Sequence, residues 1–176
     1  MKRKTFFKKI PSGEITPLEI YMRFLDDKNS YFFESVEGGE KWAKYSIIGL
    51  PTDKKIKLSD SPLDEIDDFM KSQKVGRIEG LPDFTGGLVG YFSYDTIRHI
   101  EKKLSNSKKP QLNYAEISLM ISDELIVYDN YEKNLFIIVN DFEKNEKLAN
   151  SRIDEILQQI NTPLEDQENS KKNKIE

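Results

Sequence analysis

Four side chains with complementary chemistry fall close together early in the chain: Phe33, Glu34, Ser35 and Lys44. Glu34 and Ser35 follow an apolar run, Lys44 opens the next one, and a hairpin-like return between them would gather a carboxylate, a hydroxyl and an ammonium. Such a set suits a zwitterion: Glu34 accepts from an α-amino group, Ser35 donates or accepts, Lys44 meets a carboxylate, and Phe33 adds an apolar wall. The same residues also fit a surface salt bridge across a hairpin, an arrangement common on proteins and individually weak. The residues alone leave both readings open.

Other chemistries are excluded or bland. The chain has 176 residues with no cysteine and a single histidine, His99. Disulfides, thiolate nucleophiles, Cys-type zinc sites and His-based metal clusters are therefore not available. His99 reads as a structural imidazole. Gly86-Gly87-Leu88-Val89-Gly90 lacks the spacing of a dinucleotide or Walker loop, so its glycines are expected to permit close backbone approach within a strand. Asp95, after Tyr94, is expected to cap a helix, the other reading being a charged cluster with Arg98 and Glu101 at a strand-to-helix corner. No catalytic and no metal-binding residue is assigned.

The elements that must position these groups follow from patterning. Thr16-Pro17-Leu18-Glu19 and Ser61-Pro62-Leu63-Asp64 are helix starts, with a capping hydroxyl, a proline at the first position and a carboxylate three residues on. The first helix aligns Leu18, Tyr21, Met22 and Leu25, and the second Leu63, Ile66, Phe69 and Met70. A third, from Asn145 to Ile160, aligns Ala149, Ile153, Ile156, Leu157 and Ile160. Runs rich in β-branched and aromatic residues predict strands at 5–10, 31–36, 45–50, 54–58, 85–94, 117–128 and 135–140. Adjacent strands with few helices between them imply an α+β fold: an antiparallel, sandwich-like sheet with about three helices packed on it.

Composition sets the partners. The net charge is −4 and no run of about 18 apolar residues occurs, which argues against nucleic acid and against a membrane span, and for a cytoplasmic protein. The hydrophobic share is 37% and the charged share 33%, thin for a self-sufficient core. Residues 161–176 are almost devoid of apolar side chains and read as a polar linker after a domain at 1–160.

Two long blocks carry a resemblance. Phe33-Glu-Ser-Val-Glu-Gly-Gly-Glu-Lys-Trp-Ala-Lys-Tyr-Ser-Ile-Ile-Gly49 resembles the Leu-Glu-Ser-Val-Glu-Gly-Gly-Glu-x-x-x-Arg-Tyr-Ser-Phe-Ile-Gly signature of the N-terminal domain of anthranilate synthase component I. Gly86-Gly-Leu-Val-Gly-Tyr-Phe-Ser-Tyr-Asp95, with Arg98 and Glu101, is similar to that domain's second motif. The resemblance implies a regulatory domain of the enzyme that makes anthranilate from chorismate in tryptophan synthesis. It implies that Phe33, Glu34, Ser35 and Lys44 help bind the feedback inhibitor L-tryptophan. Phe33 stands for the usual Leu, and Lys44 keeps the charge of Arg without its bidentate geometry. It further implies, as partners, the enzyme's own C-terminal catalytic domain, where chorismate and Mg2+ bind, and a glutamine amidotransferase subunit. No cofactor is expected within residues 1–176, and these residues alone are expected to be inactive. The related domain of aminodeoxychorismate synthase, in the folate pathway, and a freestanding small-molecule-binding or interaction module are the alternatives.

Overall fold

The computed structural model describes residues 3–34, 44–58, 61–73, 76–104, 115–141 and 145–163. Five strands form one antiparallel sheet: β1 (Lys4–Pro11), β2 (Asn29–Phe33), β3 (Tyr45–Thr52), β6 (Glu124–Asp129) and β7 (Asn134–Asp141), in the order β1-β7-β6-β3-β2. Strands β4 (Gly87–Phe92) and β5 (Ile117–Ser122) make a separate antiparallel pair. Three α-helices complete the regular structure, α1 (Pro17–Phe24), α2 (Pro62–Ser72) and α3 (Glu146–Asn161), with short 3-10 turns at Tyr94–His99 and Lys102–Leu104. The fold is α+β, as patterning and turn chemistry lead one to expect.

Side-chain alternation divides the sheet's two faces. Phe6, Ile48, Ile126, Tyr128, Leu135, Ile137 and Val139 point to one side and bury against Ile20 and Phe24 of α1 and Ala149, Ile153, Ile156 and Ile160 of α3. Leu125, Val127, Phe136 and Ile138 point to the other and pack with Ile78, Leu81 and Phe84. Helix α1 begins with a full capping box: the Glu19 amide donates to the Thr16 hydroxyl, and the Thr16 amide donates to the Glu19 carboxylate at 2.8 Å. In α2 the same tetrapeptide signal is weaker, because Ser61 makes no side-chain cap.

Three expectations change. Helix α1 buries Ile20 and Phe24, while Leu18, Met22 and Leu25 are about half exposed, so the buried stripe lies round the helix from the one read in the sequence. The segment 54–58 contributes only an isolated bridge, Lys55 to Met120. The long run 117–128 is two strands, broken where Asp123 lets the chain leave one sheet for the other. Residues 164–176, most of the expected linker, lie outside the described residues. Among the described residues no helix is long and apolar enough to cross a membrane.

Candidate functional site

The expected hairpin is present. Strands β2 and β3 pair antiparallel with Tyr31 opposite Gly49, Phe32 opposite Ile48 and Phe33 opposite Ile47. Phe33 and Glu34 therefore leave the hairpin at the end where Lys44 and Tyr45 enter it. Phe33 is 54% exposed, its ring tilted against that of Tyr31 at 5.0 Å between centroids. Glu34 is exposed just past the end of β2. Ser35 lies outside the described residues.

Lys44 is anchored from a direction the sequence did not suggest. No ion pair joins it to Glu34; its Nζ lies 3.8 Å from Oδ2 of Asp129, at the end of β6, and 5.1 Å from the centre of the Tyr45 ring. Contact with the Tyr45 side chain first, and the charge of Asp129 next, hold the ammonium above its ordinary pKa. Asp129 is fully buried, and its Oδ1 accepts from the amides of Tyr131 and Glu132 at 3.0 Å each. The neighbouring Asn130 amide donates to the Lys44 carbonyl at 2.8 Å. The β6–β7 turn thus clamps the first residue before β3, and among the described residues no cation pairs with the Glu34 carboxylate. Asp129 was missed because a lone Asp after an apolar strand reads as a turn former; only its pairing opposite Tyr45 brings it to Lys44.

The second sequence block is structural. Gly86 has φ +119°, and a Cβ there would lie 2.5 Å from the Ser122 carbonyl and 2.7 Å from Asn140 Nδ2. That Nδ2 donates to the carbonyls of Thr85 at 2.8 Å and Asp123 at 3.0 Å, tying the approach to β4 to the point where the chain changes sheets. Asp95 does not cap. Ser93 occupies the cap position of the 3-10 turn without a side-chain bond, and Asp95 accepts from Arg98 at 2.7 Å, both side chains mostly shielded from water. A tight 3-10 turn sets residues three apart on one face, which favours this pair over a cap. His99 pairs with Glu116, its Nε2 2.9 Å from the carboxylate. Among the described residues no group of three or more His, Asp or Glu side chains is placed to hold a metal ion.

The hairpin end offers an exposed aromatic ring on β2, an exposed carboxylate just past it, and an ammonium that Asp129 holds on the β6 side of β3. A family model described as chorismate binding enzyme matches residues 28–176, which take in both sequence blocks and every site residue named above. The chain belongs to the chorismate binding enzyme family. It is 37% identical over 175 residues to anthranilate synthase component 1 of Pseudomonas aeruginosa, an alignment covering 85% of this chain and 35% of that protein. It is 41% identical over 143 residues to the Pseudomonas putida protein of the same name, covering 70% of this chain and 29% of that one. The fold is similar to the crystal structure of anthranilate synthase component I from Streptococcus pneumoniae TIGR4, with a TM-score of 0.58 at 18% identity over 90% of this chain and 38% of that one. This member of the family spans about a third of the length of the relatives it matches.

Proposed function

We propose that this chain is the amino-terminal regulatory part of an anthranilate synthase component I, and that the β2–β3 hairpin end receives the feedback inhibitor L-tryptophan. The observation that carries the reading is the emergence of Phe33 and Glu34 beside Lys44 at one end of a single hairpin, inside the first signature block. Glu34, unpaired with Lys44, accepts from the α-ammonium; Ser35 adds a hydroxyl; Lys44 meets the α-carboxylate; Phe33 lies beside the indole. Asp129 and Tyr45 fix where the Lys44 ammonium stands.

Conversion of chorismate to anthranilate, and the Mg2+ that goes with it, belong in this reading to the two-thirds of the relatives' length that this chain does not span. No step is assigned to a metal here, since the described residues present no donor set for one. A glutamine amidotransferase subunit, component II, is the partner that supplies ammonia. A cytoplasmic location accompanies this role. Inhibition requires that tryptophan bind more tightly to an inactive state of the enzyme than to the active one.

The test is an assay of anthranilate formation from chorismate and ammonia by the complete gene product, with L-tryptophan titrated in. Turnover that tryptophan suppresses supports the reading. Turnover indifferent to tryptophan removes the regulatory assignment, and formation of a different chorismate product removes the enzyme assignment.

A further inference from the structure

Strand β4 is a sheet edge that no strand among the described residues covers. Its partner β5 is occupied on both sides: β4 takes one, and on the other Ile121 donates to the Lys54 carbonyl at 2.9 Å and Ile56 donates to the Leu119 carbonyl at 3.2 Å. The direction of the β4 backbone groups follows from alternation. Ser93 donates inward to the Glu116 carbonyl at 2.8 Å, continuing the β4–β5 register, so the N–H and C=O groups of Leu88, Gly90 and Phe92 face away from β5. Among the described residues they meet no partner strand.

Edges of this kind are normally blunted by charge, proline or a bulge. The outer strand β1 carries Lys4, Lys8, Lys9 and Pro11, and the other outer strand, β2, has a register shift between Asn29 and Tyr31. Strand β4 reads Gly-Leu-Val-Gly-Tyr-Phe, with no charge, no proline and an unbroken register. Tyr91 is 49% and Phe92 52% exposed. Beside its first residue lies α2, where Cε of Met70 is the nearest atom to a Cβ built on Gly87, at 3.9 Å. Helix α2 buries only Pro62, and its apolar stripe of Leu63, Ile66 and Phe69 is only partly covered. An incomplete sheet and an incompletely covered helix therefore adjoin.

We infer that the free edge of β4 is the docking site for a β-strand from the remaining two-thirds of the full-length enzyme, which pairs with Leu88, Gly90 and Phe92 and extends the β4–β5 sheet. The inference rests on the proposed function, because the occupant is the portion of the relatives' length that this chain does not span. Main-chain pairing supplies the attachment, and Tyr91 and Phe92 supply apolar area on the two faces of the new pair.

Hydrogen–deuterium exchange, followed by mass spectrometry with residue-level fragmentation, tests this on the complete gene product over a range of protein concentrations, with the 176-residue chain as reference. The amides of Leu88, Gly90 and Phe92 should exchange at least ~100-fold more slowly in the complete gene product than in the chain alone, at every concentration. Unprotected amides in the complete gene product overturn the inference. So does protection that rises with concentration, which would make a second copy the occupant. Tryptophan inhibition measured on the same sample separates the two readings: inhibition with unprotected amides defeats the docking inference alone, and protected amides without inhibition defeat the regulatory assignment alone.

Discussion

The Tyr31 hydroxyl lies 2.7 Å from the Ser122 hydroxyl, joining an outer strand of the five-stranded sheet to the end of the separate β4–β5 pair. Both residues are buried, at 7% and 2% exposure, so neither hydroxyl has water as an easy substitute. Tyr31→Phe strands the Ser122 hydroxyl and is expected to lower stability by about 1 kcal/mol in urea denaturation.

The same contact has a pH signature. Burial pushes the Tyr31 phenol up to about 12 from an ordinary 10.0, a shift the Ser122 hydrogen bond only partly offsets. Between those values the unfolded chain loses the phenolic proton and the folded chain keeps it. The stabilisation is complete below pH 10 and falls away as pH rises towards 12, by on the order of 2–3 kcal/mol in total. Denaturation at a series of pH values should show a slope in that window for the parent protein and a flatter one for Tyr31→Phe.

Gly49 closes the first signature block because the ring of Tyr31 lies across it. A Cβ at Gly49 would fall on Cε1 of that ring. Gly49→Ala should destabilise by about 1–3 kcal/mol, as overpacking does. A double-mutant cycle with Tyr31→Leu should recover a large part of that loss, since the two positions are in contact. Additivity in the cycle would place the strain elsewhere.

Asn140 is 5% exposed and donates to the carbonyls of Thr85 and Asp123 while its Oδ1 accepts from Thr5 at 2.7 Å. Asn140→Ala leaves these groups without their partner and is expected to cost about 2–3 kcal/mol by thermal or urea denaturation. Asn140→Asp should rescue little, because a carboxylate cannot donate to two carbonyls.

The sequence disclosed what depends on local chemistry and withheld what depends on which neighbour arrives. Asn145, with Ala149, Ile153, Ile156 and Ile160, marks α3 to within a residue, since its apolar stripe is single and its cap unambiguous. Helix α1 has apolar residues on both sides, Ile20 and Phe24 on one and Leu18, Met22 and Leu25 on the other, and only packing against β3 and α3 selects the first. The switch of sheets at Asp123 is hidden because only the short polar step Ser122-Asp123-Glu124 separates two similar apolar runs, 119–121 and 125–127. At the candidate site, the convergence of Phe33, Glu34 and Lys44 on one hairpin end was legible from the two apolar runs that flank them. The anchoring of Lys44 by Asp129 was not, because those residues are distant in sequence and meet only through the β3–β6 register.

Lys44 tests the electrostatic half of the site. Lys44→Gln removes the ammonium proposed to meet the tryptophan carboxylate while keeping most of the side chain's length. L-tryptophan should bind the complete gene product about 10-fold or more weakly in calorimetric titration, in line with the loss of one charge-assisted hydrogen bond. Unchanged affinity would mean that Lys44 serves Asp129 and the β6–β7 turn alone.

The most direct test of the regulatory assignment is tryptophan inhibition of anthranilate formation by the complete gene product carrying Ser35→Ala or Ser35→Arg. The account predicts weakened inhibition for Ser35→Ala and abolished inhibition for Ser35→Arg, each with turnover retained in the absence of tryptophan. Inhibition identical to the parent in both variants would contradict it.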